Sequence, residues 1–481
     1  MAALLSRGSA RFGLLIALVV VFYLTYRHTI WMPRPGQLPE ASTLLPVTDE
    51  LWHSVGWLAF TAILLVLFAT RVRPMPASSD ISFRRLVLLT LVATYAVTVW
   101  QRLATGRTIV PDLAVAPEAV AAAALVALAG AAALILRPPP TPWLLALLFG
   151  GGVALRLALF VLVRPDPAFA DNLPAVEKSL ERLVGGLTPY AIHDFGSHTN
   201  PMPYLPLTFL SYLPAYLLGL DIRVTNLVLT SALTIACWLI LRALPLPVTT
   251  RNGLALMVAL LFALPERLSK DVYVSWPPFN LFFVLVFGLI VLGRLRPAAV
   301  AYGASLAAMP HAIFAAPPLL VLAVRTRPLR EVAVLAAIVA VVGALPTLLF
   351  IAWDVDAFFS AVGFATAGLW GDLAAGESAL PLLLWHGWLG GWLFAVQLAL
   401  LGLAAVVSWT RLRSVRGLIG LTAVLYLWLV ITGPHIAQYM TTVVLYLALL
   451  EEAARATGTT AGDRELGLAS DPRARSAAAH V

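Results

Sequence analysis

Between Arg164 and Pro206 the chain reads RPDPAFADNLPAVEKSLERLVGGLTPYAIHDFGSHTNPMPYLP, a polar break between two strongly apolar segments and the densest cluster of acids and histidines in the sequence. Asp171 stands at the head of a short helical pattern in this break, with Glu177 further along it. A carboxylate held there could take the proton from an acceptor hydroxyl, while arginines hold a phosphate leaving group. Arg156, in the apolar segment just before the break, is a cation within reach, and an arginine inside a membrane span is a functional-site candidate by default. The same residues also make sense without chemistry. Asp171 can cap a helix N-terminus, Pro174 suits its first turn, and Leu180, Leu183 and Val184 recur at helical spacing until Gly185 stops it.

The elements that must position these groups are apolar. Of 481 residues, 60% are hydrophobic and 12% charged, and the mean hydropathy of +0.90 is too high for a water-exposed globule of this length. The sequence therefore predicts an all-α, polytopic transmembrane helical bundle of about 13 to 15 spans. Cys237 is the only cysteine, which excludes a disulfide framework and a cysteine-based metal site. The net charge of +8 does not point to nucleic acid, because the arginines fall in pairs and triplets between apolar segments, as in the cytoplasmic loops of membrane proteins. The partner implied is the lipid bilayer. The apolar run from Phe12 lacks a small-residue cleavage site and reads as a retained first span.

Spans are expected near 12–28, 51–70, 86–101, 115–136 and 142–163, then near 204–220, 222–243, 276–293, 297–324, 331–352, 381–408, 416–432 and 436–453. Residues 253–265 are short for a crossing, and Pro310 divides 297–324 into half-length pieces of the kind that line cavities. Placing Arg71, Arg73, Arg84, Arg85 and Arg137 inside leaves the 164–206 break outside, together with 266–275, 353–380 and 433–435. Arg294 and Arg296, Arg325 to Arg330, and Arg411 to Arg416 read as cytoplasmic. Three units follow: a four-span region over 1–137, a membrane module over 138–453, and a disordered cytoplasmic tail over 454–481.

Other outward groups could line the same cavity. Arg267, Lys270 and Asp271 sit where a donor phosphate could be held, or simply form a solvated loop. His311 follows the Pro310 break. His435 and Tyr439 lie at the outer end of the last two spans, where interfacial anchoring is the alternative. Asp354 and Asp356 form an Asp-x-Asp pair, but Asp356 reads more simply as a helix cap. No compact His/Asp ligand set is visible, so no structural metal is expected.

The run Asp171, Glu177, Leu183-Val-Gly-Gly-Leu-Thr-Pro-Tyr190, Tyr204-Leu-Pro206 and Leu218-Gly-Leu-Asp-Ile-Arg223-Val-Thr-Asn226 resembles the first extracytoplasmic loop of the GT-C glycosyltransferases, nearest to bacterial mannosyl- and arabinosyltransferase-like members. The likeness covers about residues 142–453. It implies Asp171 as catalytic base, pocket-shaping turns that place Tyr190 and Tyr204 at the substrate with Glu177, and a polyprenyl-phosphate sugar as donor. His311 stands where members often carry a lysine and could bind phosphate. Asn172 follows Asp171 where many members have a second acid, which leaves a divalent cation open as cofactor. His435 and Tyr439 resemble the family's late His/Tyr site. Asp49, His53, Gln101, Arg107 and Asp112 resemble, more weakly, the four-span VanZ-like proteins.

The expected activity is transfer of a hexose or pentose from a polyprenyl-phosphate donor to a hydroxyl of a cell-envelope glycan, glycolipid or protein at the outer face of the cell membrane. The alternative is a transporter or flippase of lipid-linked saccharide. Topology is directly testable: a reporter active only outside the membrane should work when fused after Ser197 and fail after Arg327. The opposite pair of results puts Asp171 inside and removes it from donors of the outer leaflet.

Overall fold

The structure, a computed structural model, describes residues 142–162, 172–195, 199–202, 204–263, 271, 274–363, 392–432, 441–458 and 460–466. Among the described residues it is all-α apart from one two-stranded ribbon. The proposed four-span region at 1–137 lies outside the described residues, along with Asp49, His53, Gln101, Arg107 and Asp112.

Helix α1 spans Pro142–Leu162. The polar break after it folds into α2 (Asn172–Val184), an antiparallel ribbon of β1 (Ile192–Asp194) and β2 (Thr199–Pro201), and two short helices, α3 (Pro206–Leu210) and α4 (Leu213–Leu217). The expected span at 204–220 is therefore not a span. Pro206 and Pro214 each begin a new helix, because proline suits a first turn but removes an interior hydrogen bond.

The bundle continues with α5 (Arg223–Ala243), α6 (Val248–Ala263), α7 (Pro277–Val291) and α8 (Leu295–Ala308). After a 3-10 segment at Pro310–Ala315 come α9 (Ala316–Thr326), α10 (Leu329–Trp353), α11 (Val355–Gly363), α12 (Trp392–Arg411), α13 (Val415–Thr432), α14 (Thr441–Thr457) and α15 (Ala461–Glu465). The break expected at Pro310 is present: α8 ends at Ala308, and Tyr302 donates to the carbonyl of Ala312 at 3.1 Å, tying the 3-10 segment back to α8.

Two described helices, α5 and α10, are long and apolar enough to cross a membrane, with mean hydropathies of 2.0 and 2.7. Along α10 Phe350 alone is buried, and Val341, Leu345, Leu348 and Leu349 are exposed. Helix α6, short as expected, is buried almost all round from Leu254 to Ala263, packed against α1, α5 and α14. A helix apolar on every face belongs in such an interior.

Close approach between helices depends on small residues. A Cβ at Gly303 of α8 would lie 2.8 Å from Cβ of Val342 and 2.9 Å from the carbonyl oxygen of Val339 on α10. At the far end of the bundle, a Cβ at Gly462 would lie 2.0 Å from the carbonyl oxygen of Ile290. Thr460 and Asp463 form a reciprocal capping box there, and the backbone N–H of Val415 donates to Asp463 Oδ1 at 2.7 Å. The expected disordered tail thus gives way over 454–466: α14 runs to Thr457 and α15 is clasped between α7 and α13. A short capped helix with a buried acid at its N-terminus has partners that a reading of composition cannot supply.

The same clasp defines one end of the molecule. It gathers the turns after α7 and α12 against α15, while Arg325 of α9 donates to the carbonyls of Ser408, Trp409 and Leu412 at the end of α12. The polar break and α11 occupy the opposite end. Replacing Gly303 with alanine should force α8 and α10 apart and lower stability by about 1–3 kcal/mol. Gly402, whose added Cβ would meet nothing within 4 Å, should accept alanine without loss, and thermal unfolding of the two variants in detergent checks the contrast.

Candidate functional site

The polar break has a core of its own. The helical spacing of α2 turns Leu173, Val176 and Leu180 inward, where they meet Tyr190, Met202, Phe209 and Tyr212. Phe350 near the end of α10 and Phe358 of α11 close one side of this core. Tyr190 is 1% exposed. Its ring meets Phe209 and Phe350 edge-on, each with centroids 5.9 Å away, and Phe358 at 4.7 Å. Its hydroxyl donates to the carbonyl of Tyr204 at 3.1 Å. Burial pushes the Tyr190 phenol well above its ordinary pKa. The expected substrate contact by Tyr190 is therefore corrected: the ring pins the loop from inside, because its hydroxyl already has a partner and none of its faces is open. Tyr204 lies half-buried between this core and that of the bundle.

Helix α11 is the helix that the sequence starts at Asp356, with its cap displaced by two residues. Asp354, not Asp356, closes its N-terminus, accepting from the backbone N–H of Ala357 at 2.9 Å. Asp356 falls inside the first turn. The segment is short and flanked by apolar residues, so its role in closing the loop core through Phe358 emerges only from packing.

The ribbon is anchored beside α2. Ser179 Oγ lies 2.9 Å from His193 Nε2 and donates to the carbonyl of Pro189 at 3.1 Å. Burial, then the nearby charges of Arg182 and Lys178, holds His193 down to about 4, so the imidazole is neutral at ordinary pH. At the rim, Glu177 is raised by partial burial and then by the like charges of Asp221 and Glu181, with Arg223 opposing. Arg223 Nε donates to both carboxylate oxygens of Asp221 at 2.9 Å, and its Nη2 donates to the carbonyl of Phe160 at 2.6 Å. Burial tends to raise the Asp221 carboxyl, but these bonds to Arg223 outweigh it and leave the pKa below its usual value. This cluster fastens the end of α1 to the start of α5, directly beneath α2.

Deeper in the bundle, Arg156 is fully buried. Nε donates to Asp271 Oδ2 at 2.6 Å, Nη1 to the carbonyl of Gly152 at 3.0 Å and Nη2 to the carbonyl of Phe262 at 2.9 Å. Its guanidinium also lies 4.0 Å from the centroid of the Phe262 ring. Thr230 donates to Asp271 Oδ1 at 3.4 Å. Asn226, itself accepting from the Tyr212 hydroxyl at 2.5 Å, donates to the carbonyls of Asp271 and Val274, each at 2.8 Å. Arg156 and Asp271, both expected to face a donor phosphate, instead face one another. An arginine in an apolar bundle is stable when a carboxylate and carbonyls surround it, and this one neither rises to the surface nor opens its fork to a ligand.

His311 is half-buried on the 3-10 segment, its ring stacked on Trp276 with centroids 5.7 Å apart. Asp171, Lys270, His435 and Tyr439 lie outside the described residues, as does Arg267. What the fold does bring together is α2, which starts at the residue after Asp171, with Glu177 and the Asp221–Arg223 pair. Among the described residues no group of three or more histidines, cysteines or acids could hold a metal ion.

The chain matches no protein-family profile, no characterised protein and no solved structure.

The buried pair makes a sharp test. Arg156→Ala leaves the Asp271 carboxylate buried without its cation and should cost about 3–5 kcal/mol, whereas the double replacement Arg156→Met with Asp271→Leu should recover most of that loss. Thermal unfolding in detergent measures both. Equal stability of the single variant and the native chain would show that Arg156 is not held as described.

Proposed function

We propose that this chain is a multi-pass membrane glycosyltransferase that moves a sugar from a polyprenyl-phosphate donor to a hydroxyl acceptor of the cell envelope, with Asp171 as the general base. The observation that carries the reading is the folded cap after α1. Its helix α2 begins at the residue following Asp171, it has its own core, and it is clamped to α1, α5, α10 and α11. A base must be held rigidly against the reacting hydroxyl, and a segment with a packed core gives what a mobile loop cannot. The described motifs that resemble the GT-C enzymes run from Glu177 to Pro206 on this cap and from Leu218 to Asn226 into the start of α5.

Charge distribution supports the orientation. The cap end carries Glu177, Glu181, Asp194, Asp221, Asp354 and Asp356 among the bases Lys178, Arg182 and Arg223, an excess of acid, whereas the opposite end carries the arginine clusters. Arginines concentrate on cytoplasmic ends, which supports a cap at the outer face, where lipid-linked donors are presented. The long apolar helices α5 and α10 and the apolar surface of α10 support embedding in a bilayer.

Within this reading Glu177 and Tyr204 remain rim groups for substrate. The donor phosphate falls to cations other than Arg156, with Lys270 and His311 the candidates already named. The rival reading, a flippase for lipid-linked saccharide, draws on the break at Pro310–Ala315, since interrupted helices line transport cavities as well as catalytic ones.

Asp171 separates the two. In proteoliposomes supplied with a polyprenyl-phosphate sugar and an acceptor, Asp171→Asn should lower transfer by roughly a hundredfold or more while donor binding persists. Full transfer by the variant removes Asp171 as base, and translocation without transfer in the native protein favours the flippase.

A further inference from the structure

The turn between α4 and α5 is a bare apolar tip. Residues 217–220 read Leu-Leu-Gly-Leu, and Leu217, Leu218 and Leu220 are 62%, 72% and 49% exposed. No side chain in this turn can donate or accept a hydrogen bond, and its backbone is largely closed on itself. The N–H of Leu218 donates to the carbonyl of Pro214 at 3.2 Å, that of Gly219 to Tyr216 at 3.0 Å and that of Leu220 to Ala215 at 2.9 Å. Gly219 permits this closure, since its φ of +65° lies in the left-handed region, where a leucine would be strained. A turn whose N–H groups are already bonded can leave water without the usual cost of a bared backbone.

The tip continues into apolar surface on the helices beside it. Arg223, three residues past Leu220, donates to the carbonyl of Phe160 at 2.6 Å and lies 5.1 Å from the centroid of the Phe160 ring, which seats the turn next to the end of α1. The next residue of α1, Val161, is 84% exposed, and Leu157 one turn earlier is exposed as well. On the other side the tip leads directly into α5, one of the two described helices long and apolar enough to cross a membrane. Val228, Ile235 and Leu239 are exposed along α5 at a spacing that puts them on one face. Polar surface begins only at Asp221, which is partly exposed and paired with the buried Arg223.

We propose that the 217–220 turn is a membrane-dipping tip, whose three leucines insert among the acyl chains of the leaflet next to the cap. The segment enters the bilayer and returns on the same side, so the apolarity at 204–220 that reads as a crossing serves as an anchor for the cap. Acyl chains fit this surface better than a protein does, because nothing polar between Leu217 and Leu220 sets the register that a specific protein interface needs. The depth reached is about 5–10 Å below the headgroups, as for other interfacial apolar faces. The proposal rests on the membrane reading but not on sugar transfer, and its test needs no activity.

The full-length protein is given a nitroxide at Leu218→Cys, Leu348→Cys or Glu181→Cys and reconstituted in phosphatidylcholine liposomes, with labelling of the buried native Cys237 setting the background. Collisions of each label are measured with oxygen, which concentrates in hydrocarbon, and with a water-soluble nickel chelate present on both sides of the membrane. The label at 218 should meet oxygen severalfold more than nickel, as should the one at 348 on the exposed face of α10, while 181 on the exposed side of α2 should show the reverse. All three positions are exposed, so the variants should melt in detergent as the native chain does, and Leu217→Cys and Leu220→Cys should repeat the result at 218. Nickel contact at 218 equal to that at 181, with 348 still in hydrocarbon, overturns the proposal and leaves the membrane reading standing. A label at 218 shielded from both reagents overturns it too, because residues 1–137 or a second copy of the chain then cover the tip. Water contact at 348 overturns the proposal and the membrane reading together.

Discussion

A single buried charge constrains much of this bundle. Arg156 sits inside an apolar helix with no access to water, and a guanidinium there is tolerated only when other groups replace its hydration. Asp271 supplies the countercharge, and the carbonyls of Gly152 and Phe262 take up two further donors. Each partner fixes an element. Gly152 lies one turn away on α1, Phe262 brings in the end of α6, and Asp271 brings in the approach to α7. Gly152 has to be glycine, since a Cβ there would lie 2.7 Å from the Phe262 ring. Asn226 then fastens the carbonyls of Asp271 and Val274 to α5, and Tyr212 ties that same asparagine to the cap.

The chain of contacts from Arg156 to Tyr212 gives the cap a rigid floor. Its own core rests above that floor, with Phe350 and Phe358 closing the side. The Asp221–Arg223 pair makes a second attachment at the end of α1. A polar segment after an apolar helix would ordinarily be among the more mobile parts of a bundle. Here it is held at several points by groups that have few other ways to satisfy their hydrogen bonds.

The two ends of the molecule use charge differently. At the cap end, acids and bases are interleaved, and Asp221, Arg223, Arg156 and Asp271 are paired with one another. At the other end, Glu331, Glu451 and Glu452 are paired with arginines, Asp463 is buried, and Arg294, Arg296, Arg330, Arg411, Arg413 and Arg464 are exposed. That asymmetry does not arise from any one loop; it depends on α15 folding back against α7 and α13, which brings Arg464 to the turns that carry Arg294 and Arg413.

Much of the helical framework was legible in the chain itself. The lengths and apolarity of α1, α5, α7 and α10, the break at Pro310 and the helix beginning after Asp171 follow from periodicity, proline placement and capping, all of which act over a few residues. Arg156 was also recognisable as exceptional, since an arginine in an apolar run must have a partner. Which partner it had was not recognisable, because Asp271 is distant along the chain and a loop acid next to a lysine reads as solvated. Tyr190 looked like a pocket residue for the same reason: its turn is local, but the rings of Phe350 and Phe358 that bury it arrive from remote helices. The fate of 454–466 turned on whether α15 found a dock. Sequence-local physics determined where the helices run and where they stop; only the tertiary structure decided which polar groups face each other and which are left open, because desolvation is settled by neighbours distant in the chain.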